Sequence, residues 1–427
     1  MIFRRVFIRL VERRFLSSIF PRQMPRPLLF IVRRLDIWAS FVIVRLISSR
    51  YGIDEDKVLF TNFSGNYDCN PKYISEEMLR SMAPVRIVWV TSERRSECES
   101  RAVGGFPASV EICKRYTWAY YKHLFSAHII VDNGTSFASS GCKKKKGQIL
   151  INTWHGSLGI KRRPKVNSVH NFAYNISARR TAAMTDMMIS NSLFEESYYK
   201  ECWFANVPVK RFGHPRNDPL FNCSAKVLEQ IKSTICKVYG IDKKFSFCLY
   251  APTFRDSGEC FWAGIDYDAL VKTLSRRFGG EWVVLVRLHN QTAGLNNIKD
   301  AFQQDYVINV TDYPDIVELM VVSDIGITDY SSWICEYIHT GRPGFLYVPD
   351  MDTYRANERD FYDPLETLPF PMAASFDELC HRIYDFNPDK YQYDYKRFLS
   401  MKGCIDDGCA SRRTVNLIME FLTSRRK

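Results

Sequence analysis

The 427-residue chain lacks the marks that announce the commonest nucleotide, metal and membrane proteins. It holds no G-x-G-x-x-G, no G-x-x-x-x-G-K-[ST] and no H-E-x-x-H, which disfavours classical dinucleotide sites, P-loop sites and zinc proteases. Its thirteen Cys never form a C-x-x-C pair, and several lie inside apolar runs such as Phe247-Cys248-Leu249. That usage describes reduced, buried thiols rather than a zinc cluster or a disulfide framework. No run reaches the about 18–20 apolar residues of a membrane span, and Arg4, Arg5, Arg9, Arg13 and Arg14 break any signal-peptide core. Lysine is missing from residues 1–50, which nonetheless hold eleven Arg against only Glu12 and Asp36. That segment carries +9 of the total +12, so residues 51–427 carry only +3, and no chain-wide basic groove for nucleic acid is expected.

Residues 1–53 read as a basic arm. Arg alternates with Phe3, Phe7, Leu10, Phe15, Phe30, Leu35 and Trp38, and Pro21, Pro25 and Pro27 divide it into two helical pieces. Helices with Arg on one side and bulky apolar residues on the other lie in a membrane interface, drawn by anionic headgroups. The plainer reading is an arm packed on its own domain or on a partner. Lys143–Lys146 is the one low-complexity run, a solvated loop or a second contact with anionic lipid.

From residue 54 short β-branched runs alternate with amphipathic helices, twice over. The first series includes Val58–Phe60, Val85–Val90, His128–Val131 and Ile149–Ile151; the second restarts near Phe245 with Phe247–Tyr250, Trp282–Val286, Val307–Val310 and Ile325–Ile327. Continuous apolar strands bounded by helices predict parallel sheets covered on both faces. The reading is an α/β chain of two Rossmann-like domains, 54–235 and 236–427, the second including a C-terminal helix. A polar stretch, Asn222–Lys244, crosses between them, and the ligand cleft lies where C-terminal strand ends face each other.

Donor-rich loops sit at these strand ends. Thr153-Trp154-His155-Gly156 follows a strand, and a His there can accept a proton near neutral pH or merely cap a carbonyl. Arg287-Leu288-His289 closes another strand with a planar donor fork and a second imidazole. Ser331 or Ser332 is the expected N-cap of a helix running to His339, which would make an anion site or an ordinary capped helix. With Gly213–Asp218 and Tyr250–Asp256 these loops describe a cleft for a polyanion, most simply a nucleotide diphosphate.

Taken together, Thr153-Trp154-His155-Gly156, Ala251-Pro252-Thr253-x-Arg255, Arg287-x-His289 and Ser323-Asp324-x-x-x-Thr328-Asp329-Tyr330-Ser331-Ser332 resemble, in order and spacing, the CDP-glycerol glycerophosphotransferase family of teichoic-acid and capsule alditol-phosphate transferases. Asn70-Pro71-Lys72-Tyr73, Gly213-x-Pro215-Arg216-x-Asp218, Arg359-x-Phe361-Tyr362 and Asp407-Gly408-x-Ala410-x-x-Arg413 extend the likeness from about residue 54 onward. It implies a GT-B fold, with nucleotide on the C-terminal domain and acceptor approached from the N-terminal one. It also implies catalytic roles for His155 and His289, with Arg287 at the pyrophosphate. The substrate-binding positions that the resemblance implies are Trp154, Gly156, Arg216, Pro252, Thr253, Arg255, Arg287, Asp324, Ser331, Ser332 and Glu336. The sequence departs from the family pattern at Ser157-Leu158, in place of Thr-Pro, and at Glu336, in place of Asp.

The expected reaction moves glycerol phosphate or ribitol phosphate from its CDP ester to a hydroxyl of a lipid-linked or polymer acceptor, releasing CMP. No cofactor or metal is required, with Mg²⁺ stimulation left open. The expected place is the cytoplasmic face of the cell membrane, held peripherally by the arm on an anionic surface. Sugar transfer from a nucleotide sugar and an inactive scaffold are the competing readings.

Overall fold

The computed structural model describes residues 46, 48, 50–92, 105–139, 142–162, 172–253, 255, 265–288 and 304–424; the basic arm lies almost wholly outside these residues, and so does His289. Seven strands form the first sheet: β1 (Asp54–Thr61), β2 (Arg86–Thr91), β3 (Glu111–Lys114), β4 (Ala127–Asp132), β5 (Ile149–Asn152), β6 (Met187–Ser190) and β7 (Val209–Arg211). Their order is β3-β2-β1-β4-β5-β6-β7. Six more form the second: β8 (Ser246–Tyr250), β9 (Trp282–Val286), β10 (Val307–Asn309), β11 (Ile325–Thr328), β12 (Gly344–Tyr347) and β13 (Met372–Ala373), in the order β10-β9-β8-β11-β12-β13. Every pairing between these strands is parallel. Both sheets reverse strand order beside their first strand, the switch point at which doubly wound domains open a crevice.

The apolar runs end up in the middle because alternate residues serve opposite faces. Val58, Phe60, Ile87, Trp89, Ile129 and Val131 pack on one side of the first sheet, while Leu59, Val88, Val90 and Ile130 pack on the other, beneath Tyr120, Tyr121, Leu124 and Phe125. The first of these faces is closed by a helix from far along the chain. Val415, Leu417, Ile418 and Leu422 of the helix Ala410–Ser424 fill it, so the helix expected to belong to the second domain completes the first. Asp218 accepts hydrogen bonds from the backbone N–H groups of Ala410 (2.9 Å) and Ser411 (2.8 Å), anchoring that helix at its start.

The polar stretch read as a crossing between domains contains the helix Ala225–Tyr239, begun by Ser224, whose hydroxyl accepts from Val227 N–H, and ended at Gly240 in the left-handed conformation (φ +69°). Within the Lys143–Lys146 run, Lys145 donates to the Ser48 carbonyl at 3.0 Å and to that of Tyr51, while Lys144 pairs with Asp186. Those two lysines hold the segment entering β1 and the sheet edge rather than standing free in solvent.

The two domains are tied by polar contacts around the cleft. Lys72, on the helix Cys69–Arg80, pairs with Asp315 (2.8 Å) and Glu318 (2.6 Å) of the second domain, and the Tyr73 hydroxyl donates to Asp315 at 2.8 Å. Behind them Asp406 accepts from His214 N–H (2.7 Å), Asn191 (2.6 Å) and Asn217 (3.0 Å), with His339 at 3.3 Å. Gly213 makes room for it: at φ +92°, a Cβ there would stand 2.9 Å from Asp406 Oδ1. Burial pushes the Asp406 carboxyl up, yet His339, His214 and the backbone donor together hold it well below the usual carboxylate range. No helix among the described residues is long and apolar enough to cross a membrane.

Candidate functional site

His155 sits immediately past the C-terminal end of β5 on a backbone that the surrounding side chains force into shape. Asn152 donates to Gly134 O (2.8 Å) and accepts from Trp154 N–H (2.9 Å); Asn70 donates to the carbonyls of Thr153 (3.2 Å) and Trp154 (3.1 Å). Trp154 is held at φ +51°, a left-handed conformation that costs a bulky residue on the order of 1–3 kcal/mol and persists where neighbours impose it. The next residue is thereby turned so that its Nδ1 lies 2.7 Å from the Asn133 carbonyl. A carbonyl can only accept, so Nδ1 carries the proton and Nε2 of the neutral ring keeps its lone pair. The ring is held between Trp154 and Phe63, each with centroid at 4.7 Å. The carbonyl cap therefore engages Nδ1 and selects the tautomer whose Nε2 can accept a proton.

A cavity of about 360 Å³ joins this loop to the second domain. Trp154, His155, Gly156, Lys161 and Arg162 line it from one side, Ser332, Arg359 and Tyr362 from the other. Thr253 stands next to this group, its hydroxyl 3.4 Å from Lys161 Nζ and its N–H donating to Asp329 at 2.8 Å. Pro252 lies in the same loop after β8, half-buried. Ser331 and Ser332 follow β11 as expected, but the helix they start, Trp333–Tyr337, is one turn long before a 3₁₀ turn, Ile338–Thr340. The Ser332 hydroxyl makes no capping bond. The site thus offers hydroxyl donors rather than the dipole of a long helix. A larger groove, about 1440 Å³, runs between the helices Leu193–Lys200 and Pro388–Met401 and contains none of the residues nominated from sequence.

Arg287, beyond β9, donates to the Tyr313 carbonyl at 2.6 Å. Burial pulls it below the ordinary arginine value, opposed by Asp315 and by Asp68 of the first domain. The Asp68 carboxyl is in turn raised to about 6, by burial and by Asp315, against Arg287 and its hydrogen bonds. The cleft cation thus already faces two carboxylates, Asp315 of its own domain and Asp68 across the domain boundary.

Four nominated positions are placed otherwise than expected. Asp324 precedes β11, and its N–H and carboxylate pair with Phe247 O (2.8 Å) and N–H (3.0 Å). It stands at the N-terminal edge of the sheet, about 13 Å of strand away from the cleft. Arg255 is enclosed: it pairs with Asp329 and Asp350, each at 2.8 Å, donates to Thr253 O at 2.7 Å, and lies over the rings of Tyr330 and Tyr354. It holds loops together and has no open fork for a ligand. Arg216 and Glu336 are buried against one another as an ion pair across the domain boundary; burial opposes the Arg216 charge, and Glu336 more than restores it.

Sequence reading passed over Lys161, Arg162 and Asn70 as functional groups, although Lys161-Arg162-Arg163 stands as a basic triplet directly after the His loop. Asn70-Pro71-Lys72-Tyr73 was recognisable only as a motif. Its Asn shapes the His155 loop, and its Lys and Tyr reach the second domain.

Two doubly wound domains with polar strand ends meeting at a shared cavity define the class: a two-domain Rossmann-like protein with its site at the junction. The chain belongs to the CDP-Glycerol:Poly(glycerophosphate) glycerophosphotransferase family, whose family model matches residues 42–420. It is 29% identical over 386 residues to a teichoic acid poly(glycerol phosphate) polymerase of Staphylococcus epidermidis, covering 84% of this chain and 50% of that protein. To a teichoic acid ribitol-phosphate primase of Bacillus spizizenii it is 28% identical over 322 residues, covering 71% and 77%. Among solved structures it is similar to the wall teichoic acid polymerase TagF, in a His-to-Asn variant soaked with CDPG, with TM-score 0.77, 25% identity and coverage of 91% and 94%. The chain spans about half the length of the first curated relatives it matches.

Proposed function

We propose that the protein transfers an alditol phosphate, glycerol phosphate or ribitol phosphate, from its CDP ester to a hydroxyl of a lipid-linked or polymeric acceptor in teichoic-acid-like or capsule polymer synthesis. The domains act as a GT-B pair, the second holding the nucleotide and the first presenting the acceptor. The observation that carries this is His155, its Nδ1 committed to Asn133 O, sharing one cavity with Ser332 of the opposite domain in a chain of this family.

In this mechanism His155 Nε2 takes the acceptor hydroxyl proton, contributing about 10²–10⁴-fold. The oxygen attacks the alditol-bearing phosphorus in line, the bond from that phosphorus to the bridging oxygen breaks, and CMP departs with the electron pair. Arg287, the hydroxyls of Thr253, Ser331 and Ser332, and His289 as second imidazole hold and neutralise the phosphates, so rate comes from positioning and electrostatics. This scheme requires no cofactor or metal. The basic arm would seat the enzyme on an anionic membrane surface at the cytoplasmic face, where a lipid-linked acceptor lies.

The test is nucleotide release from CDP-glycerol and, separately, CDP-ribitol in the presence of a membrane extract. CMP from one donor establishes phosphoryl transfer and names the alditol. No CMP from either, with UDP or GDP released from a nucleotide sugar, would replace the proposal with sugar transfer.

A further inference from the structure

Three cations line the His155 cavity beyond the groups used above. Residues 160–162 of the first domain pair with 360–362 of the second: Lys161 bridges Phe361 in antiparallel fashion, Arg162 N–H donates to Asp360 O (2.7 Å) and Tyr362 N–H to Ile160 O (3.0 Å). This short cross-domain ladder sets Lys161 and Arg162 against the same cavity as Arg359. Arg162 lies over the Tyr362 ring, 5.9 Å from its centroid, and both arginines are exposed while Lys161 is partly buried.

Little acidic charge balances them: Asp329 and Glu358 act on Lys161 and Asp360 on Arg162, none of them as an ion pair. The one carboxylate lining the cavity, Glu195, is occupied by His214 Nε2 (2.8 Å) and Asn191 N–H (2.9 Å). Asp329 is taken by Arg255 and Asp360 by Arg355. Lys161 touches a hydroxyl, that of Thr253, and among the described residues none of the three cations is in an ion pair. Burial lowers Lys161 to about 8, Asp329 and Glu358 opposing the effect and Arg359 and Arg255 adding to it.

We infer that Lys161, Arg162 and Arg359 form an acceptor subsite that reads a phosphodiester one unit behind the attacking hydroxyl, so that the enzyme extends a chain already ending in an alditol phosphate rather than starting on an uncharged acceptor. This rests on the alditol-phosphate transfer proposed above. The donor's phosphates are assigned to groups at the strand ends, Arg287, Thr253 and the serines. Arg162 and Arg359 are the exposed cations of the cavity lining, and their planar forks suit phosphate oxygens.

The experiment uses the full chain, CDP-glycerol or CDP-ribitol, whichever releases CMP, and two synthetic lipid acceptors differing only by one terminal alditol-phosphate unit. The wild type is expected to use the phosphorylated acceptor with kcat/KM at least about tenfold higher, a preference that salt weakens. Arg162→Gln with Arg359→Gln should remove most of that preference by raising KM for the phosphorylated acceptor while KM for the donor holds, and lysine at both positions should restore part of it. Equal use of the two acceptors, or a rise confined to the donor's KM, would overturn the subsite while leaving the transfer intact. CMP from neither acceptor would sink both.

Discussion

Replacing Lys72 by Met tests whether the domain boundary is held by compensation of buried charge. Lys72 and Asp315 are 8% and 3% exposed at their side chains, and Glu318 is 26% exposed. Removing one partner of a buried pair costs about 3–5 kcal/mol, because the charge left behind has lost its solvent and its partner. Glu318 keeps part of its hydration and adds little to that cost. The loss should therefore come to about 3 kcal/mol or somewhat more, read from the first urea transition of the chain. Asp315→Asn in the same background keeps the cap on Val317 N–H through Oδ1 and places Nδ2 to donate to the Tyr73 hydroxyl, and should recover at least half of the loss. The pH profile is the sharper readout. Burial pushes the Asp315 carboxyl up, but Lys72 outweighs it and holds the folded value below the ordinary one. In the wild type this residue's contribution is therefore present above the unfolded pKa and lost as pH falls through the folded one. Without Lys72 burial prevails, the folded carboxyl binds protons more readily than the unfolded one, and the Lys72→Met protein should gain stability on acidification. Asp68 and Glu76, raised to about 6 and about 7, already give the wild type some gain of this kind, so the quantity to measure is the variant minus wild-type difference between pH 7 and 5. A loss below about 1 kcal/mol with parallel pH curves would refute the compensation account.

His155→Asn should lower turnover by at least about 100-fold while CDP-alditol binding, followed by calorimetry, stays within a few-fold. Loss of binding instead would make the residue a structural part of the cleft. Arg255→Leu leaves Asp329 and Asp350 unpaired and should destabilise the second domain by about 3–5 kcal/mol in denaturant unfolding. Asp324→Asn, at the far end of the same strand, should leave kcat/KM within about twofold, whereas Ser332→Ala should raise the donor KM; equal effects would mean that position along the strand does not separate the two roles. Ile418→Ala, fully buried against the first sheet, should cost about 2–5 kcal/mol and lower the unfolding midpoint of the N-terminal half, observable by hydrogen exchange in β1 and β4.

What could be read from the chain was what local pattern encodes. Trp282–Val286 occupies the expected residues because an unbroken apolar run leaves no alternative burial. The helix Ala225–Tyr239 passed for a polar connection because only Ile235 and Cys236 of it are buried. In the site, strand-end loops carrying Trp154, His155 and Ser332 could be found, since they follow recognisable strands. The true employment of Arg255 could not, because Asp350 lies ninety-five residues further on and nothing local foretells their pairing. Arg216 and Glu336 had the same fate, their separation of 120 residues being closed by tertiary packing alone. Asp324 was misplaced for a simpler reason: a motif that spans a whole strand includes both of its ends, and only one faces the cleft.

The route of the chain through the helix Ala410–Ser424 bears on how the protein is made. A ribosome synthesises Val58, Phe60 and Ile129 hundreds of residues before Val415, Ile418 and Leu422, which cover them. During synthesis the second sheet can gather its own core as soon as its segments emerge, while the earlier sheet must wait with one face covered only in part, by residues such as Ile74, Met78 and Phe106. The half that is written first is thus finished last, and until then its half-covered apolar face is the one that needs protection from other nascent chains.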